Sequence, residues 1–151
     1  MAVRNIVKDG DDVLRKVCRP VEKFDENLSN LIEDMFETMY KANGVGLAAP
    51  QIGILKRIAV IDIGEGPHEF INPRIIDASG EQTDTEGCLS CPGIWGTVSR
   101  PNFVTVEAYD RNGDRFILSA NELFARAICH ELDHLDGKLF KDIVIEFVDA
   151  D

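Results

Sequence analysis

The chain has 151 residues, four cysteines, and 16 basic against 27 acidic side chains, a formal net charge of -11. One domain fits this length, and a folded chain of this size buries about 68 to 70% of its unfolded surface, so its core needs no disulfide staples. Its 44% hydrophobic and 28% charged content excludes disorder, collagen and coiled coil, and the acidic balance argues against a nonspecific grip on DNA or an anionic membrane.

Residues 1–10 carry no apolar stretch after Arg4, and no apolar run approaches the roughly 20 residues that span a bilayer. A cytoplasmic location is expected. Thiols stay reduced there, so Cys18, Cys88, Cys91 and Cys129 read as buried hydrophobes, nucleophiles or metal ligands rather than disulfide partners. No repeat, low-complexity segment or linker divides the chain.

From Leu28 onwards, Leu31, Ile32, Met35, Phe36, Met39 and Tyr40 recur at helical spacing, with Gly44 placed as a C-cap glycine. This predicts an amphipathic helix. Residues 44–53 are small, apolar and interrupted by Pro50, and read as an irregular loop lying against a cleft or the core. Short β-branched runs follow at residues 56–63, 68–72 and 102–110. The last continues through Asn112-Gly113, a tight-turn signal, into residues 115–118. Ser119-Ala120-Asn121-Glu122 fits a capping box opening a helix that runs to Asp136 and stops at Gly137. That helix places Leu123, Ala127, His130 and His134 on one stripe and Phe124, Ile128 and Leu135 on the next. A helix apolar around so much of its circumference is buried. The expected fold is α+β, with β-sheets wrapped around a central helix.

That helix carries His130-Glu131-Leu132-Asp133-His134, an H-E-x-x-H. The i, i+4 spacing stacks both imidazoles on one face to chelate one metal, with Glu131 beside them to move protons. A third protein ligand has to come from elsewhere. Phe140 stands where a metzincin has its last histidine and cannot bind, and Glu146 follows in a β-rich tail rather than on a second helix. His68 and the cysteines are the upstream candidates. Cys129 points away from His130 and Cys18 has no ligating company, so both read as core. In Glu86-Gly87-Cys88-Leu89-Ser90-Cys91-Pro92-Gly93, flanking glycines let a loop approach the helix, and Pro92-Gly93 suggests a turn. Two arrangements remain open there: Cys88 completing a His2Cys site, or Cys88 and Cys91 closing a structural Cys2His2 zinc.

Three stretches, Gly44-Val45-Gly46-Leu47-Ala48-Ala49-Pro50-Gln51, Glu86-Gly87-Cys88-Leu89-Ser90 and the H-E-x-x-H, closely resemble in order and spacing the motifs of the peptide deformylases. The resemblance implies a single catalytic domain over residues 1–151 that hydrolytically removes the N-formyl group from N-formylmethionyl peptides and releases formate. It implies that Cys88, His130 and His134 hold the metal, that Glu131 is the acid/base, and that Gln51 and the Leu89 backbone N–H stabilise the oxyanion. Fe2+ is the implied physiological ion, with Zn2+, Ni2+ or Co2+ as substitutes. Gly46 could admit a peptide backbone, Val45 and Ile128 could wall a methionine side chain, Glu86 could accept a hydrogen bond behind a ligand, and Arg126 could rim the pocket. The implied partners are the formylated peptide and, transiently, the ribosome. Members that dock on the ribosome through a basic helical extension differ from this chain, which has Glu146, Asp149 and Asp151 after Phe140.

Overall fold

A computed structural model of the chain describes residues 2–149; Asp151 of the acidic tail lies outside them, whereas Glu146 and Asp149 are exposed. A 3-10 turn at Asp12–Arg15 precedes helix α1 (Glu26–Lys41), strand β1 (Gly46–Ala48), a 3-10 turn at Ala49–Ile52, and strands β2 (Ile58–Ile61) and β3 (His68–Ser79). Then come β4 (Gln82–Cys88), β5 (Cys91–Arg100), β6 (Phe103–Tyr109), β7 (Arg115–Asn121), helix α2 (Glu122–Leu135), a 3-10 turn at Phe140–Ile143 and β8 (Glu146–Val148). Strands β1-β2-β3-β6-β7 form one sheet and β4-β5-β8 a second. Helix α2 packs on β1, β2, β6 and β7 of the first sheet and on β5 of the second. The H-E-x-x-H helix is therefore central, and the fold is α+β. Among the described residues no helix is long and apolar enough to cross a membrane.

Helix α1 forms because its apolar residues share one face: Leu28, Leu31, Ile32, Met35, Phe36 and Met39 are buried against β1 and β2. Asp25 caps it by accepting from the Leu28 N–H at 3.1 Å. At the other end Asn43, not Gly44, takes the left-handed conformation, with φ 58°. Gly44 is required for space instead, since a Cβ there would lie 2.7 Å from Leu89 Cδ1.

The segment expected as a loop contains β1, paired antiparallel to β2 with Gly46 opposite Ile61 and Ala48 opposite Ala59. Three buried residues are too few to show a strand period. Residues 86–93 are likewise not a loop. They form the end of a β4–β5 hairpin that turns at Leu89-Ser90, with Pro92 and Gly93 inside β5. Strand β4 is polar, with its middle exposed and Glu86 its one buried residue, so it carries no apolar alternation to announce it.

The β6–β7 hairpin forms as the Asn-Gly signal suggests, but through the longer loop 110–114. There the Asp110 carboxylate accepts from the N–H groups of Asn112 and Asp114. The expected capping box does not form: Ser119 lies in β7, its hydroxyl 3.0 Å from Thr105 Oγ1, and Asn121 occupies the N-cap position without a side-chain bond. Helix α2 ends as expected, with Gly137 at φ 76° against the Arg15 carbonyl, where a side chain has no room.

Candidate active site

Helix α2 delivers His130, Glu131 and His134 to one place, and the end of β4 delivers Cys88. One potential ligand atom from each of Cys88, His130 and His134 lies within 4.8 Å of the others. Cys88 Sγ is 3.4 Å from His134 Nε2. The other ring is oriented from behind: His130 Nδ1 is 2.9 Å from Glu86 Oε1, which leaves Nε2 to face the cluster. Phe140 stacks on His130 with ring centroids 5.8 Å apart, so the residue at the metzincin histidine position packs the site rather than binding in it. His68 starts β3 and packs at a tilt against Phe124, ring centroids 4.7 Å apart, outside the cluster. Cys18 and Cys129 are buried in the core, and the Cys91 thiol is not one of the converging atoms.

Glu86 is the hub of a buried ion network. Burial alone would raise its pKa, but hydrogen bonds from His130 and Arg100 hold it down to about 2. Arg100 bonds both of its oxygens at 2.9 Å and reaches Asp133 at 2.6 Å, while Arg126 donates to Glu86 at 2.5 Å. Arg126 thus reaches the cleft while buried in an ion pair, instead of sitting on an exposed rim. The two histidines diverge. Burial and the neighbouring His130 push His134 well below the ordinary imidazole value, whereas the Glu86 carboxylate raises His130 against the effect of burial. Burial lifts Glu131 to about 7. Among the described residues, its Oε1 and the His134 Nδ1 are buried without partners. A thiol and two imidazoles converging beside an unpartnered buried carboxylate fit a divalent ion of the zinc or iron type, which would offset the cost of burying them.

Gln51 is 1% exposed, not a solvated loop residue. Its Oε1 accepts from the Ala48 N–H at 2.9 Å, which turns Nε2 towards Ser90 Oγ at 3.1 Å and Cys88 Sγ at 3.5 Å. Leu89 sits at the β4–β5 turn and lines the same cleft, a largely apolar cavity of about 510 Å³ that also holds Val45, Gly46, Leu123, Ala127 and Trp95. Gly46 has a reason the sequence did not reveal: a Cβ there would overlap Glu131 Oε2 and lie 2.9 Å from its Cδ. Ile128 departs from its expected place. It is fully buried among Ile61, Phe70 and Val106, and Ala127 is the neighbour that reaches the cleft. Sequence reasoning missed Arg100, Asp133 and Ser90. Arg100 lies opposite Gln82 at the far end of the hairpin, a pairing that no local pattern encodes.

An α+β fold whose buried central helix presents H-E-x-x-H beside a cysteine, in an apolar cleft, defines a metal-dependent hydrolase. The profile of the polypeptide deformylase family matches residues 3–148. A peptide deformylase of Acetivibrio thermocellus is 58% identical over 151 residues, covering 100% of this chain and 89% of that one. The peptide deformylase structure from Thermotoga maritima superposes with a TM-score of 0.94 at 43% identity, covering 95% of this chain and 99% of the other. That from Synechococcus elongatus, in complex with actinonin, gives 0.91 at 45% identity, with coverage of 93% and 78%. The chain belongs to the polypeptide deformylase family, metal-dependent hydrolases that remove the N-formyl group from newly made peptides.

Proposed function

We propose that this chain, acting as one catalytic domain in the cytoplasm, removes the formyl group from N-formylmethionyl peptides, with Cys88, His130 and His134 holding a divalent ion. The observation that carries this reading is the convergence of those three side chains with Glu131 in a single apolar cleft. When bound, the ion supplies a Lewis acid that polarises a carbonyl and makes a water more acidic. Fe2+ is the ion we assign, with Zn2+, Ni2+ or Co2+ as substitutes: the Cys88 thiolate would weaken the pull of any of these ions on water, and Fe2+ would accept an added oxygen ligand more readily than Zn2+, which favours four.

The remaining work falls to the chain's own groups. Glu131, with its carboxylate lifted to about 7 by burial, takes a proton from the attacking water and returns it to the leaving amine nitrogen. Gln51 Nε2, oriented by the Ala48 N–H through its own carbonyl, and the Leu89 backbone N–H donate to the oxygen that becomes negative. Val45 and Ala127 offer an apolar wall to the methionine side chain, with Ile128 in the core cluster that Ala127 joins. The peptide is the substrate partner, and contact with the ribosome would be transient. Formate release from an N-formylmethionyl peptide, set against cleavage of internal peptide bonds by the same preparation, tests the reading. Release of formate without internal cleavage supports it, and the reverse would replace it with a general peptidase.

A further inference from the structure

Cys91 has no part in the chemistry above, yet it is the residue directly opposite Cys88 across the hairpin. Only Leu89 and Ser90 separate the two in the turn. Both are free thiols, both reach the cleft, and Cys88 packs against the cluster of Leu14, Val98 and Phe140 in which Cys91 is buried. Directly opposed residues of an antiparallel pair have Cα atoms about 4.5 to 5.5 Å apart, inside the range of about 4.4 to 6.8 Å that a disulfide spans. Cys18 and Cys129 belong to separate core clusters.

We propose that in the metal-free chain Cys88 and Cys91 close a reversible disulfide across the β4–β5 turn, which withdraws a ligand and shuts the site to metal. The inference rests on Cys88 being a ligand. A bound ion occupies that thiolate, so oxidation and metal binding compete for the same sulfur. The oxidant is a peroxide. It meets Cys88 first, because Cys88 is partly exposed in the cleft while Cys91 is 2% exposed. The Cys88 sulfur attacks the peroxide O–O bond, becoming a sulfenic acid and releasing one water. The Cys91 sulfur then attacks the Cys88 sulfur and expels the hydroxyl as a second water. The two thiols lose two electrons and two protons in all, and a dithiol reductant restores them. Without Cys91 the sulfenic acid has no resolving partner and is carried on to the irreversible sulfinic and sulfonic states.

The test uses the full chain, with and without prior removal of metal by a chelator, treated with hydrogen peroxide. Expected in the metal-free sample is the loss of two hydrogens in the intact mass, a Cys88–Cys91 cross-link on peptide mapping, and a fall of about ten-fold or more in Co2+ rebinding that dithiothreitol reverses. The chain reloaded with Zn2+, which has no redox chemistry with peroxide, should resist. Cys91→Ser should instead gain oxygen at Cys88 and not recover with dithiothreitol. Sulfonic acid at Cys88 in place of the cross-link in the unsubstituted chain, or pairing of Cys88 with Cys18 or Cys129, overturns the proposal without needing any variant. A cross-link that leaves Co2+ binding intact would overturn the proposal together with the ligand assignment of Cys88.

Discussion

His130 Nδ1 stands 2.9 Å from Glu86 Oε1, and the same carboxylate accepts from both Arg100 and Arg126. One buried carboxylate therefore fixes the tilt of the His130 ring and pairs with two buried guanidinium groups, while Asp133 meets the remaining charge at Arg100. Changing Glu86→Gln keeps the shape but leaves the cations undercompensated. Stability should drop by about 3 to 5 kcal/mol in denaturant titrations, and metal affinity by about 10 to 100-fold. The pH dependence has a definite sign. Glu86 is held at about 2 against an ordinary 4.5, so its contribution is present above about 4.5 and is lost as pH falls towards 2, an effect of about 3 kcal/mol. The stability gap between the two proteins should therefore shrink on acidification. A gap that stays constant from neutral pH down to 2 would show that the Glu86 charge is not what stabilises the hub.

Gly46 and Glu131 touch where β1 passes α2. Because a Cβ at Gly46 would overlap Glu131 Oε2, Gly46→Ala should displace the carboxylate while leaving the ligands alone. A misplacement near 1 Å costs on the order of 100-fold in rate, so kcat should fall by about that factor with metal content unchanged. If KM rises and kcat holds, the glycine serves the peptide backbone rather than the carboxylate.

The chemistry of the site was more legible in the sequence than its supports were. H-E-x-x-H reads directly because one helix sets the spacing of all three groups, and the buried stripe of α2 implied sheets around it. Strands β4 and β5 were not legible. Their register places Glu86 opposite Gly96 and carries Arg100 to Glu86, while the packing of α2 against the hairpin brings Arg126. The capping box failed for a related reason. Ser119 fits the local pattern, but pairing with β6 holds it in a strand, and tertiary contacts outweigh a cap worth about 1 kcal/mol. Ile128 was misplaced by one residue around the helix, the 100° that separates a cleft wall from the core.

The two cysteines of the hairpin should behave differently under single substitution. Cys88 lies 3.4 Å from His134 Nε2, whereas the Cys91 thiol is outside the convergent set. Cys88→Ser should lose activity and most of its metal under reducing, anaerobic conditions. Cys91→Ser should keep both, at a cost in stability of about 1 kcal/mol for a hydroxyl in an apolar cluster. Metal analysis of the purified variants decides it, and equal loss from both would point to a closed Cys2His2 site.

Glu131 combines near-complete burial with an oxygen that has no partner, the situation of a group kept for proton transfer rather than for stability. Glu131→Gln preserves size and removes the exchangeable proton, so metal content should persist while formate release falls by about 100-fold or more. Burial raises this carboxyl to about 7, and a nearby dication pulls it back down by favouring the ionised form. A base must start deprotonated. In the loaded enzyme, activity should therefore rise with pH along an acid limb whose midpoint lies at or below about 7, and the midpoint should shift with the ion. Glu131→Gln should lack that limb altogether. Residual activity in the variant that still follows the same limb would assign the titration to another group and remove Glu131 from the role of base.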